Sequence, residues 1–255
     1  MFVLWTFGLL GMLGGRVAGG EAIQIMGGPG RVNLLELYTS EGCAGCPPAD
    51  AWMSRLKDKA GLWKGFVPVV FHVDSWDELG WVDRFGNKAY SERQRLLAAR
   101  WGRRSLMTPG FVLNGEEWRG WFRRGEVPGA SGGNPGILLA RSKDAATWTL
   151  RFQPSTNTLS GPFNLHAALL GFDFRSDVKA GENKGITLLH DFVVLSAGKV
   201  SGMRVGDAFE GSVTLKAGVG EAPKRLGVAA WVSLSKDEVP IQAAGGWLPA
   251  AAAKP

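Results

Sequence analysis

Residues 31–56 read RVNLLELYTSEGCAGCPPADAWMSRL, and the fold turns on this stretch. The apolar run from Val32 to Tyr38 reads as a short buried strand. Thr39-Ser40-Glu41-Gly42 breaks it, and Cys43-Ala44-Gly45-Cys46 follows. Pro47 and Pro48 suit a first helical turn, where a missing N–H costs little. Ala49 to Leu56 then continues as an amphipathic helix, with Trp52, Met53 and Leu56 spaced for one buried face. Cys43 and Cys46 are the two cysteines of the chain. They fall between strand and helix, where unpaired backbone N–H groups favour a thiolate. The plainer alternatives are a small structural disulfide or two ligands of an incomplete metal site.

Working outward, Gly65 to Val73 is a nearly continuous apolar run, as a central strand should be. Pro68 is expected to mark its start, because proline fits poorly inside such a strand. His72 and Asp74 alternate at its end and are candidates for a proton relay, against the alternative of a packed histidine and a turn-capping aspartate. From Leu79 to Trp101 the pattern is helical. Ser91 resembles a helix start, and Arg93, Arg95, Arg100, Arg103 and Arg104 are expected on a solvated face. Phe111 to Trp118 reads as a hairpin around Asn114-Gly115. Asn134-Pro135 looks like a helix cap and first residue, opening a short helix through Arg141. From about Thr147 the pattern turns to alternation, in runs 148–152, 163–174, 185–195, 208–215 and 226–234, which read as strands of an antiparallel sandwich.

The chain has 255 residues, 45% of them apolar, and a formal charge of +6. That length allows two modest domains. The basic excess comes without a nucleic-acid motif, so no nucleic-acid partner is expected. The Ser131-Gly132-Gly133 tract lacks the ending of a phosphate-binding loop, and no cofactor is expected. Phe2 to Leu13 is apolar and small residues follow to Gly20. That run is too short for a transmembrane helix and suits the core of a signal peptide, although no Lys or Arg precedes it. Export to the periplasm or beyond is therefore expected, with membrane contact only if the segment is retained as an anchor. Export places the cysteines where disulfides persist.

A C-x-x-C between strand and helix resembles the thioredoxin redox signature, and Thr108-Pro109 before a strand resembles the cis-proline loop of such proteins. More closely, LLELYTSEGCAGCPPAD, FHVDSWDELGW, SERQR, MTPGFVLNG and GENKGITLLHDFVV, in order over residues 31–195, resemble a secreted bacterial thioredoxin-like family, domain of unknown function 1223. The resemblance implies an α/β thioredoxin-like domain, a central mixed sheet flanked by helices, over residues 21–145. A small all-β antiparallel sandwich over 146–248 and a loose tail at 249–255 complete the expected organisation. It further implies Cys43 and Cys46 as the redox pair, with Thr108 and Pro109 shaping the groove for a partner.

The expected activity is thiol–disulfide exchange with protein thiols and disulfides. Cys43 is taken as the more exposed, attacking sulfur and Cys46 as the resolving one. No cation lies between the cysteines, and Glu41 and Asp50 disfavour a thiolate, which argues against a very strong oxidant. A Cu(I)-handling module using Met107 beside the two thiols is one alternative. A non-enzymatic binding module with a structural disulfide is another. No metal ligands are assigned. In the second half His166 and His190 read as packed strand residues, and residues 181–185 as a strand-linking turn.

Overall fold

The structure is a computed structural model. It describes residues 22–249 except 29, 104–106, 124, 130, 131, 145, 156–158, 160 and 217–222. The expected leader at 1–20 and all but the first residue of the expected tail lie outside the described residues.

In chain order the elements are β1 (Gln24–Gly27), β2 (Asn33–Thr39), α1 (Pro47–Ser54), β3 (Phe66–His72), α2 (Lys88–Arg100), β4 (Gly110–Leu113) and β5 (Glu116–Glu117). They continue as β6 (Gly136–Ser142), β7 (Thr147–Pro154), β8 (Phe163–Phe172), β9 (Phe174–Asp177), β10 (Thr187–His190) and β11 (Val193–Ser201). The last are β12 (Met203–Val205), β13 (Ala208–Thr214), β14 (Arg225–Leu234) and β15 (Pro240–Trp247).

Eight strands form one mixed sheet in the order β15-β14-β8-β11-β3-β2-β4-β5. β2 and β3 run parallel, as a strand–helix–strand unit requires. A second sheet has the order β1-β6-β7-β13-β12, and β9 and β10 pair as a separate hairpin. β8 shows why the two sheets pack. All ten of its residues are buried. Ala168, Leu170 and Phe172 enter a core shared with β2, β3 and α1. Phe163, Leu165, Ala167 and Leu169 enter a second core, with Leu138 of β6 and Leu150 and Phe152 of β7. A strand buried on both faces reads as a continuous apolar run, and each large side chain so buried contributes about 1.5–3 kcal/mol.

This architecture overturns the expected α/β thioredoxin-like domain followed by a small sandwich. The chain is mostly β, with two α-helices among the described residues. Strands from after residue 146 complete the sheet that holds β2 and β3, while β1 and β6 join β7 and β13 in the other sheet. The expected helix at 134–141 is β6. Leu138 and Ala140 point inward, and the strand pairs with both β1 and β7, so distant partners override a locally helix-like start. The helix expected over 79–101 is confined to α2, capped by Asn87, whose side-chain oxygen accepts from the Ala89 N–H at 2.9 Å. Pro68 is the third residue of β3, not its start. Its nitrogen points to the same edge as that of Val70, which donates to the Phe192 carbonyl. β11 meets β3 only at Val193–Val70, so no ladder bond is lost at Pro68.

Candidate active site at the cysteine pair

Beyond β2 the chain turns sharply. The Ser40 carbonyl accepts from the Cys43 N–H at 3.2 Å, and the Cys43 carbonyl from the Cys46 N–H at 3.1 Å. Cys46 is the N-cap of α1, with prolines in the first turn. Its carbonyl accepts from the Ala49 and Asp50 N–H groups at 2.9 and 3.0 Å. The sulfurs form a disulfide, with Cα atoms 5.4 Å apart. Both cysteines are buried, Cys43 at 1% and Cys46 at 0% exposed, so the expected difference in exposure between them is slight. Ala44 and Gly45 between them face solvent.

Three segments cover the pair. The Thr108–Pro109 peptide is cis. The Thr108 carbonyl oxygen lies 3.6 Å from Cys43 Sγ, and the Pro109 ring stands close to Gly45, where an added Cβ would meet its Cδ at 3.6 Å, an ordinary contact. Gln94 of α2 donates to the Met107 carbonyl and fixes this loop from behind. Trp76 closes over Gly42, where an added Cβ would come within 3.1 Å of the Trp76 Cβ. The turn between β9 and β10 supplies the third segment. Asn183 Nδ2 donates to the Glu41 and Cys43 carbonyls at 2.8 and 3.0 Å, and Glu182 accepts from the Ala44 N–H at 3.0 Å.

Beneath lies a buried polar cluster. His72 Nδ1 is 2.7 Å from Asp83 Oδ2, and the same carboxylate accepts from the Glu41 and Phe85 N–H groups at 2.8 and 2.9 Å. Trp81 donates to Glu41 at 2.8 Å, and His190 Nε2 stands 3.3 Å from the other Glu41 oxygen. The His72 and His190 rings are 5.0 Å apart. Asp50, one helical turn past Cys46 and on the same face, is fully buried. Neither of its carboxylate oxygens has a well-aligned hydrogen bond, although the Thr39 side chain approaches and favours its charge; His72 Nε2 and His190 Nδ1 have none, and His190 Nε2 has only its contact with Glu41.

Charge follows burial and pairing. Burial pushes the Asp50 carboxyl above its ordinary value, against the pull of His190 and His72. Burial alone would lower His72, but the Asp83 carboxylate, by charge and hydrogen bond, holds it above the usual imidazole range. Burial likewise opposes Asp83, yet His72 holds it below the carboxylate range. Glu41 is also depressed: burial opposes its charge, and the contacts with His190, Ser176 and Trp81 together outweigh that.

The candidate relay thus divides. His72 joins the cluster, while Asp74 accepts from the Ser91 hydroxyl of α2 and stands apart from it. Met107, weighed as a copper ligand, is 46% exposed, and it is its carbonyl that Gln94 engages. Among the described residues no group of three or more His, Cys, Asp and Glu is arranged to hold a metal ion. Sequence reasoning missed Asp83, Glu182 and Asn183 and gave Glu41, Asp50 and His190 lesser roles. Their one signal was adjacency to the family-like stretches, since the contacts span up to 149 positions (Glu41 to His190).

Two solved structures resemble the chain. One is protein AGR_C_4864 from Agrobacterium tumefaciens, 21% identical, with a TM-score of 0.56 over 86% of this chain and 94% of that one. The other is HBP35 of Porphyromonas gingivalis, 16% identical, with a TM-score of 0.57 over 90% and 81%. At such identities the likeness is one of fold. No curated protein matches the chain. The profile of one family spans residues 34–233, from the first central strand through the cysteines and the β9–β10 turn to β14, and the chain therefore belongs to the family described as protein of unknown function, DUF1223.

Proposed function

We propose that this chain carries out thiol–disulfide exchange on protein substrates through Cys43 and Cys46, as an exported protein of the periplasm or cell exterior. The observation that carries this reading is the buried, protonation-prone Asp50 one turn behind a disulfide whose second cysteine stands at the N-cap of the same helix. A staple needs no buried acid, whereas exchange moves a proton at every step. In the reduced state the Cys43 thiolate attacks one sulfur of a partner disulfide. The partner's S–S bond breaks and the released thiolate takes a proton. Cys46 gives its proton to the Asp50 carboxylate and attacks Cys43 Sγ, and the second partner thiolate leaves and takes that proton from Asp50, while the proton taken by the first thiolate comes from the solvent that had received the Cys43 proton. Two electrons and two protons pass to the partner, and the pair ends oxidised.

The open cleft of about 560 Å³ lined by Ser75, Trp76, Leu79, Met107 and Thr108 receives the partner segment beside the Thr108 backbone. No helix of the described residues is long and apolar enough to cross a membrane.

Cys46→Ser should trap mixed disulfides through Cys43, and Cys43→Ser should trap few. Equal trapping by both would sink the assigned roles. The burial of both sulfurs favours a second reading, in which the pair is a permanent staple. A reduction potential below about −300 mV, typical of structural disulfides, would select it.

A further inference from the structure

The turn between β9 and β10 enters no step of that exchange, yet it is built against the cysteine loop. The Val178 N–H donates to the Ile186 carbonyl at 3.0 Å and the Gly185 N–H to the Val178 carbonyl at 2.9 Å, closing the base of the turn. Gly181 and Gly185 take positive φ of 72° and 84°, and a Cβ at Gly181 would press within 3.2 Å of Trp81. Asn183 is 2% exposed and holds two carbonyls of the cysteine loop. That anchor sets Glu182 against the first amide after Cys43, which its carboxylate accepts at 3.0 Å.

We propose that Glu182, held in place by Asn183, tunes the Cys43–Cys46 pair toward the reducing end. The inference rests on the exchange reading for its biological use, but not for its chemistry. A Cys43 thiolate would draw on amides of its own loop, because α1 opens with two prolines and its Ala49 and Asp50 N–H groups already donate to the Cys46 carbonyl. Glu182 occupies the Ala44 N–H, the first amide after Cys43, and brings a negative charge to the cysteine loop. Both effects raise the cost of the thiolate. A pair whose thiolate is poorly stabilised gives up its electrons readily, the reverse of strong oxidants, whose reduced form is stabilised. Glu182 lies on the surface, so its effect is modest and sensitive to salt. The other ionisable groups packed around the pair are Glu41 on its own loop, Asp50 on α1, His72 on β3, Asp83 and His190. They stay constant between the proteins compared.

The test uses full-length wild type, Glu182→Gln, Glu182→Ala and Asn183→Ala. Each is reduced with a phosphine and titrated by the ultraviolet absorbance of the thiolate, then equilibrated with glutathione buffers. Glu182→Gln keeps an acceptor and loses the charge. It should lower the Cys43 thiol pKa by about half to one unit and move the glutathione equilibrium about three- to tenfold toward the dithiol. The difference should shrink in high salt. Asn183→Ala should shift both in the same direction, because the carboxylate is no longer held. A Glu182→Gln protein that titrates and equilibrates like wild type overturns the proposal. So does a change seen in Glu182→Ala alone, which would make the hydrogen bond, not the charge, the cause. If no protein exchanges with glutathione the exchange reading fails, and the thiolate titration still decides the role of Glu182.

Discussion

Two buried polar clusters hang on the central strands β2 and β3, and they are completed to different degrees. In the first, the Arg93 guanidinium of α2 grips Glu36 with both ends of its fork, at 2.8 and 3.1 Å, and reaches Glu238 at 2.9 Å. The Tyr38 hydroxyl donates to the same Glu36 at 2.8 Å. Glu36 is 0% exposed, and each of its oxygens is used. Burial disfavours the Arg93 charge, but Glu36 holds its pKa above even the usual arginine range. In the second cluster, under the cysteines, Asp50, His72, His190 and Thr39 keep buried polar atoms without well-aligned hydrogen bonds. A completed network ties elements together. An incomplete one stores unmet hydrogen-bonding capacity at a net cost in stability, and such cost gathers where chemistry is done.

The sharpest way to break this contrast is Glu36→Ala. It leaves Arg93 buried with half of its partners gone and should cost about 3–5 kcal/mol in denaturant unfolding. A loss under about 1 kcal/mol would show that the completed cluster is not architectural. Asp50→Ala should act with the opposite sign. Removing two buried oxygens without well-aligned hydrogen bonds should raise stability at neutral pH by about 1–2 kcal/mol, while slowing exchange at least about tenfold. Its pH dependence checks the cause. A carboxyl raised on folding withdraws stability as pH climbs from its unfolded value of about 3.9 through the higher folded one. That fall should vanish in Asp50→Ala.

The smallest effect concerns His72. Its folded pKa is raised, so its contribution is complete below the unfolded value of 6.5 and is lost as pH rises through the folded one. Urea titrations of wild type should show this alkaline loss, and His72→Gln should lack it. Asp83, depressed by its partner, contributes above its unfolded value and fails as pH falls through the folded one.

The legible parts of the fold were those with local causes. β2, the cysteine turn and α1 are set by an apolar run, a breaker and two prolines. The hairpin of β4 and β5 turns on Asn114 and Gly115, both at positive φ, as its Asn-Gly pair requires. The illegible parts were decided at a distance. Ile137 to Arg141 became strand because β1 and β7 lie on either side of it. Arg93 sits in a basic helix and reads as solvated, until Glu36, 57 positions away, is seen to bury it. Asn183 has the composition of any turn, and nothing local announces that its amide reaches the carbonyl of Cys43 across 140 positions.

The narrow junction between β3 and β11 has a consequence of a different kind. Below Val70 no hydrogen bond stitches these strands, and rings fill the place: Trp63 stands 5.4 Å from Trp247 and 6.0 Å from Phe192, and Phe172 is 4.8 Å from Phe192. The seam joining the cysteine-bearing strands to the rest of the sheet therefore draws its strength from water's aversion to apolar surface. That strength fades on cooling and is indifferent to the screening of charges. Cold loosens these ring contacts, whereas added salt acts only on the ion pairs that brace the seam, Lys57 with Asp173 and Asp191, both at 2.8 Å.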